Sequence, residues 1–161
     1  MQRTIPSDQI PKTDYLILVI GSQGPIQGRT RLEKLLFLVK KEVLDRLKRP
    51  EASNFYLFSP YRFGPFSEDL YDDLEFLRDN GFVDVKGEPG GETYTITHKG
   101  SGFLEAKLKK RLPPEVAEEV IRVTSKYAKL SIQDLIKYVY VRYPEYAVQS
   151  EIRGDILGKG L

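Results

Sequence analysis

The chain has 161 residues, 40% of them hydrophobic, which suffices for one compact core. It has no cysteine and one histidine, so disulfides, thiolate metal sites, cysteine nucleophiles and a multi-histidine metal centre within one chain are excluded. The formal net charge is +2 but unevenly spread: ten Lys/Arg face five Asp/Glu in residues 1–50, four face ten in 51–100, and eleven face eight in 101–161, so the middle third is the acidic part.

Residues 1–12 are polar, carry Pro6 and Pro11, and are expected to form a flexible N-terminal arm. No run approaches the ~18 apolar residues of a membrane span, and the N-terminus lacks the basic-then-apolar pattern of a signal peptide. The expectation is a soluble, cytoplasmic protein with no membrane partner. Tyr15–Ile20 is a short apolar run, read as a helix because Gly21 to Pro25 stops it. Gly28 precedes Thr30-Arg31-Leu32-Glu33, which has the spacing of a capping box. The helix it opens is expected to reach Leu47, with Leu32, Leu36, Val39, Val43 and Leu47 on one face and Phe37 and Leu44 on another. Lys34, Lys41 and Lys48 recur on its remaining face, as a solvated stripe or a basic docking surface.

The stretch from Phe55 to Asn80 organises the chain. Phe55 to Phe58 is apolar, and Pro60 and Gly64-Pro65 impose backbone angles that a helix or inner strand does not use. Ser67 is placed to cap the helix that follows, with Glu68 and Asp69 in its first turn, where the helix dipole favours negative charge. Leu70, Leu74 and Leu77 recur at helical spacing, and Asn80-Gly81 ends the helix. The result is a rigid elbow, built on Tyr61, Arg62, Gly64, Pro65 and Ser67, that aims one short helix. Tyr61-Arg62 is read as packing and capping this elbow, ahead of recognising a small anion.

Phe82–Val85 and Thr93–Thr97 alternate as two strands joined by the turn-rich Lys86 to Gly91, a β-hairpin. His98 lies in the turn after it, and a helix follows that carries Phe103, Leu104 and Leu108 and ends in Lys109-Lys110-Arg111. Pro113-Pro114 marks a boundary. Two terminal helices follow, one bearing Val116, Val120, Val123 and Tyr127. The other starts at Ser131, carries Ile132, Leu135, Ile136, Val139 and Tyr143, and stops at Pro144. This pair (113–147) is expected to pack on the core (13–112) or on a second copy in a homodimer, Tyr138 and Val141 facing outward. Residues 148–161 hold three glycines and are expected to fray.

The predicted fold class is α+β: a mainly helical, winged-helix-like domain with one β-hairpin wing and two C-terminal helices. Tyr94-Thr95-Ile96-Thr97-His98-Lys99-Gly100 resembles the end of the wing in MarR- and PadR-type winged helices. Leu32-Glu33-Lys34-Leu35-Leu36-Phe37, then Tyr61 to Ser67 with Leu70 and Tyr71 following, resembles the SocA/Panacea antitoxin-domain family and its YwgA-like relatives over roughly residues 12–100. That resemblance implies a module that binds and neutralises a protein toxin, and implies no catalytic residue or cofactor. The chain departs from the motif in having no tryptophan before the Gly-Pro pair.

The elbow helix opposes Glu68, Asp69, Asp72, Asp73, Glu75 and Asp79 with Arg78 alone, a face that repels DNA phosphates. A protein partner suits it better, contacted by Glu68, Asp69, Asp72, Asp73, Phe76 and Asp79. A DNA-binding regulator using the basic helices is the alternative. A metal-dependent enzyme built on Asp69, Asp72 and Asp73 is a remote one.

Overall fold

A computed structural model describes residues 10–61 and 64–147. The fold is α+β, mostly helical, with a small antiparallel sheet. Helix α1 (Lys12–Gln23) starts directly after Pro11, and the Gly24 N–H closes it on the Ile20 carbonyl at 2.8 Å. Its residues Tyr15 to Ile20 are all buried, as the unbroken apolar run requires of a central helix. Ile10, within the stretch expected to form a flexible arm, is also buried, at 4% exposure. Residues 1–9 and the expected frayed tail, 148–161, lie outside the described residues.

Strand β1 (Ile26–Gln27) precedes helix α2 (Arg29–Val39). The capping box expected there is absent: Gly28 is the N-cap and no side chain caps the helix. Helix α2 does not run straight to Leu47 either. It widens into a π-turn (Lys40–Leu44), with the Asp45 N–H reaching back to the Lys40 carbonyl at 2.8 Å. The extra residue keeps Val43 and Leu44 buried but turns Leu47 outward to 36% exposure.

A 3-10 turn (Pro50–Asn54) leads to the elbow, which is a second β-hairpin rather than an irregular turn. Strands β2 (Ser59–Tyr61) and β3 (Gly64–Phe66) pair antiparallel with Pro60 opposite Pro65. Proline's missing N–H confines it to edge ladders, and this ladder has two edges and no interior. Of the apolar run before it, Phe55 and Tyr56 are buried while Leu57 is 74% exposed.

Helix α3 (Glu68–Asp79) follows, then β4 (Val83–Lys86) and β5 (Thr93–Ile96). The hairpin is joined by β1, in the order β1-β5-β4. Helix α4 (His98–Phe103) is capped by the Thr97 hydroxyl, which accepts from the Gly100 N–H at 3.0 Å. It continues through a π-turn (Leu104–Leu108) into the short α5 (Lys109–Arg111).

Helices α6 (Pro114–Ala128) and α7 (Ile132–Arg142) pack on α1 and α2 of the same chain. The buried positions of α7 are Leu135, Ile136, Val139 and Tyr140. Tyr138, expected on the outer side, is held inside by Glu42 on the π-turn of α2. Its hydroxyl donates to Glu42 Oε2 at 2.6 Å, while Tyr127 donates to Oε1 at 2.9 Å and Tyr143 to Oε2 at 3.4 Å. One carboxylate thus ties both terminal helices to the core, and Val141 remains outward at 65% exposure.

Carboxylates grip tyrosines elsewhere too. Tyr15 donates to Glu51 at 3.2 Å, Tyr56 to Asp73 at 2.7 Å and Tyr71 to Glu33 at 2.9 Å. Burial first, and the adjoining carboxylate second, raise all three hydroxyl pKa values well above the usual 10. The unfolded chain therefore releases these protons near pH 10 while the folded chain keeps them, so stability is full below pH 10 and falls above it. At pH 11 the fully buried Tyr15 and Tyr56 each cost about 1.4 kcal/mol. Lys34 titrates in the opposite sense, because burial lowers its pKa, so Lys34→Met steepens the alkaline loss. Urea midpoints at pH 9 and pH 11 measure this; equal midpoints in the Lys34→Met chain contradict it.

Candidate functional site

The elbow is seated on a charged clamp that the sequence reading placed at the surface. Lys34 is fully buried. Its Nζ donates to Glu33 Oε1 at 2.9 Å and to the Pro65 carbonyl at 3.1 Å. Glu33, 4% exposed, accepts the Tyr71 hydroxyl on its other oxygen. Three elements meet there: α2 supplies the ion pair, β3 a carbonyl and α3 a phenol. The expected basic surface of Lys34, Lys41 and Lys48 does not exist as such. Lys34 is internal, Lys41 lies half-buried by the Phe37 and Tyr146 rings, and Lys48 is exposed beyond the π-turn with φ 54°. The physical reason is that α2 is enclosed on every side, so its residual face packs against the elbow. The available signal was Glu33-Lys34 set inside an otherwise apolar run from Leu32 to Val39.

Gly64 makes the clamp possible. Its φ is +97°, and a Cβ there would lie 2.9 Å from Tyr140 Cε1 and 3.3 Å from Lys34 Cε. Pro65 and Ser67 are buried beside it, while Tyr61 is 45% exposed. Arg62 lies outside the described residues. Ser67 occupies the N-cap position of α3 but makes no capping bond, and its buried Oγ has no hydrogen-bond partner. The dipole of α3 is met instead by Glu68 and Asp69 in the first turn.

Helix α3 buries Leu70, Leu74 and Leu77 and turns its acidic face outward. Phe76 stands on that outer side, 55% exposed. The carboxylates are not equivalent. Asp73 is half-buried and spent on Tyr56, and Asp69 is 3.6 Å from Lys12. Arg78 leans on Asp79 at 3.2 Å and Glu75 at 3.8 Å. Among the described residues no cation pairs with Glu68 or Asp72, both exposed. The expected contact set therefore divides into an outer group of Glu68, Asp72, Phe76 and Asp79, an exposed Asp69 paired with Lys12, and Asp73, which holds the fold. The aspartates do not form a metal centre: among the described residues no group of three or more His, Cys, Asp or Glu is placed to hold an ion. Nor is any helix among them long and apolar enough to cross a membrane.

Several cations of the basic helices are already paired with carboxylates. Lys40 meets Asp45 at 3.1 Å, Arg46 meets Glu119 at 2.9 Å, Lys109 meets Glu105 at 2.9 Å, and Arg111 pairs with Asp14.

No known family profile matches the chain. The chain is similar to the uncharacterised protein YwgA of Bacillus subtilis (strain 168). The two are 33% identical over 97 residues, which cover 56% of this chain and 52% of YwgA. The chain thus spans about half the length of this curated relative.

Proposed function

We propose that the chain is a non-enzymatic, antitoxin-like interaction module that binds a basic protein partner through the outer face of α3. The observation that carries this is Phe76, a large aromatic 55% exposed on the same outer face as Asp72 and Glu68, with which no cation pairs among the described residues. An exposed aromatic within a ring of like charge suits an anchor that enters a recess while the rim selects partners of opposite sign. The SocA/Panacea resemblance of the elbow supports a toxin as that partner.

A winged-helix DNA-binding regulator is the competing reading. It is favoured by the order of elements, a helix followed directly by a β-hairpin, which β1 from earlier in the chain joins as a third strand. Against it stand the acidity of that helix and the pairing of Lys40, Arg46, Lys109 and Arg111 with carboxylates.

A photo-crosslinking residue at position 76, in cells producing the chain, should give a discrete adduct with a basic protein. Binding of that protein in isolation should weaken about tenfold or more in Phe76→Ser and in Asp72→Arg, and weaken with salt. Random duplex DNA at physiological salt should bind no tighter than about 10 μM. Nanomolar, sequence-selective DNA binding, or partner binding indifferent to both substitutions, would overturn the proposal.

A further inference from the structure

A cleft of about 1020 Å³ opens between the start of α2, the elbow hairpin and the tip of the β4–β5 hairpin. It is distinct from the outer face of α3 and plays no part in the function proposed above. Its volume lies at the upper limit of small-molecule sites, which run from about 300 to 1,000 Å³.

One wall is a stack of rings. Tyr61 lies against Phe66 with centroids 5.0 Å apart, and Phe66 against Tyr71 at 5.5 Å, each pair tilted by 38°. The Arg29 guanidinium continues the stack over Tyr71 at 4.1 Å. Stacks of this kind accept one more flat ring at little cost, since the added ring gains dispersion and cation–π contact without moving the wall.

A second cation lines the same cleft. Arg31 holds the carbonyls of Ala128 and Leu130 at 3.2 and 2.7 Å, both through Nη1. Among the described residues no carboxylate forms an ion pair with Arg29 or Arg31. Among the described residues that line the cleft the one acidic side chain is Glu33, and it pairs with Lys34 at 2.9 Å. The described lining residues therefore carry net positive charge, and both arginines come from the basic first fifty residues of the chain. The uncapped first turn of α2 lines the same space and adds backbone N–H groups suited to an anion.

We propose that this cleft binds a small ligand of nucleotide size, in which a flat aromatic ring is joined to a phosphate. The ring stacks on the Tyr61–Phe66–Tyr71 wall, and the phosphate takes the Arg29 and Arg31 side. An aliphatic anion leaves the ring wall bare, and a neutral nucleoside leaves two arginines unanswered.

Calorimetric or NMR titration of the full chain with AMP, CMP, GMP and UMP tests this, with adenosine and inorganic phosphate as the two halves and salicylate as an aromatic acid lacking phosphate. At least one nucleotide should bind with a Kd of about 1 mM or tighter, and about tenfold tighter than either half or salicylate. Arg29→Gln should weaken it about tenfold. Gly91→Asp should do the same by adding an anion to the rim, at a position where a Cβ meets only ordinary contact with the Glu88 carbonyl at 3.7 Å, so the fold tolerates it. No saturable nucleotide binding, affinity unchanged in both variants, or salicylate binding as tightly as the nucleotide would overturn the proposal. A tetranucleotide binding more than about tenfold tighter than a mononucleotide would also overturn it, by making the cleft part of a strand-binding groove.

Discussion

Replacing Lys34 by alanine lowers the unfolding free energy by about 3–5 kcal/mol. The substitution leaves Glu33, 4% exposed, with the Tyr71 hydroxyl as its remaining partner, and strips the Pro65 carbonyl of its donor. An uncompensated buried charge costs far more than the net value of the pair it came from, because desolvation of the surviving ion is no longer offset. The double variant Glu33→Gln with Lys34→Met removes both charges and should recover much of the loss. Urea denaturation of the three chains measures both effects. A loss below about 1 kcal/mol in Lys34→Ala would show that the clamp contributes little to stability.

Gly64→Val should cost about 3 kcal/mol or more. Two independent penalties meet at this position. A β-branched residue at φ +97° is strained whatever space surrounds it. The Cβ also falls 2.9 Å from the Tyr140 ring, which belongs to α7, so relief requires the terminal helix to move. Gly64→Ala separates the two, since it keeps the close approach and reduces the strain. Thermal melts should rank wild type above Ala above Val. A Val variant with an unchanged melting temperature would mean that the hairpin is free to reposition. These two substitutions act on one structural unit, so their effects should combine non-additively, as expected for residues in contact.

Elements marked by local chemistry were legible from the residues alone. The start of α3 after Ser67 and its end at Asn80 follow from first-turn acids, leucine spacing and a terminal Asn-Gly. The hairpin strands, expected at Phe82–Val85 and Thr93–Thr97 from alternation around a glycine-rich turn, lie within one residue of that at Val83–Lys86 and Thr93–Ile96. Ser131 caps α7 through the Asp134 N–H, at 3.1 Å, where the sequence places a helix start. Each of these signals lies within about one turn of the feature it specifies, so no distant contact is needed to read it.

The missed features all depend on distant partners. Strand β1 is two residues long and is a strand only because Ile26 and Gln27 meet Tyr94 and Thr93. The wide turn at Lys40–Leu44 brings Glu42 under the three tyrosines of the terminal segment. Pro60 and Pro65 argued against a strand, and the ladder formed because it is a two-stranded edge that needs no proline N–H. That Phe76 is 55% exposed was likewise settled by distant elements, since α6 and α7 pack on α1 and α2.

By itself, then, the sequence determined the α+β class, the positions of α3, the β4–β5 hairpin and the terminal helices, and the acidity of the elbow helix. Tertiary structure alone decided that Lys34 is a buried clamp and not a docking charge, that Tyr138 turns inward to Glu42, and that Arg29, Arg31 and three aromatic rings line one cleft. The reason is that periodicity tells which residues share a face of one element, whereas burial and charge pairing depend on which other element covers that face.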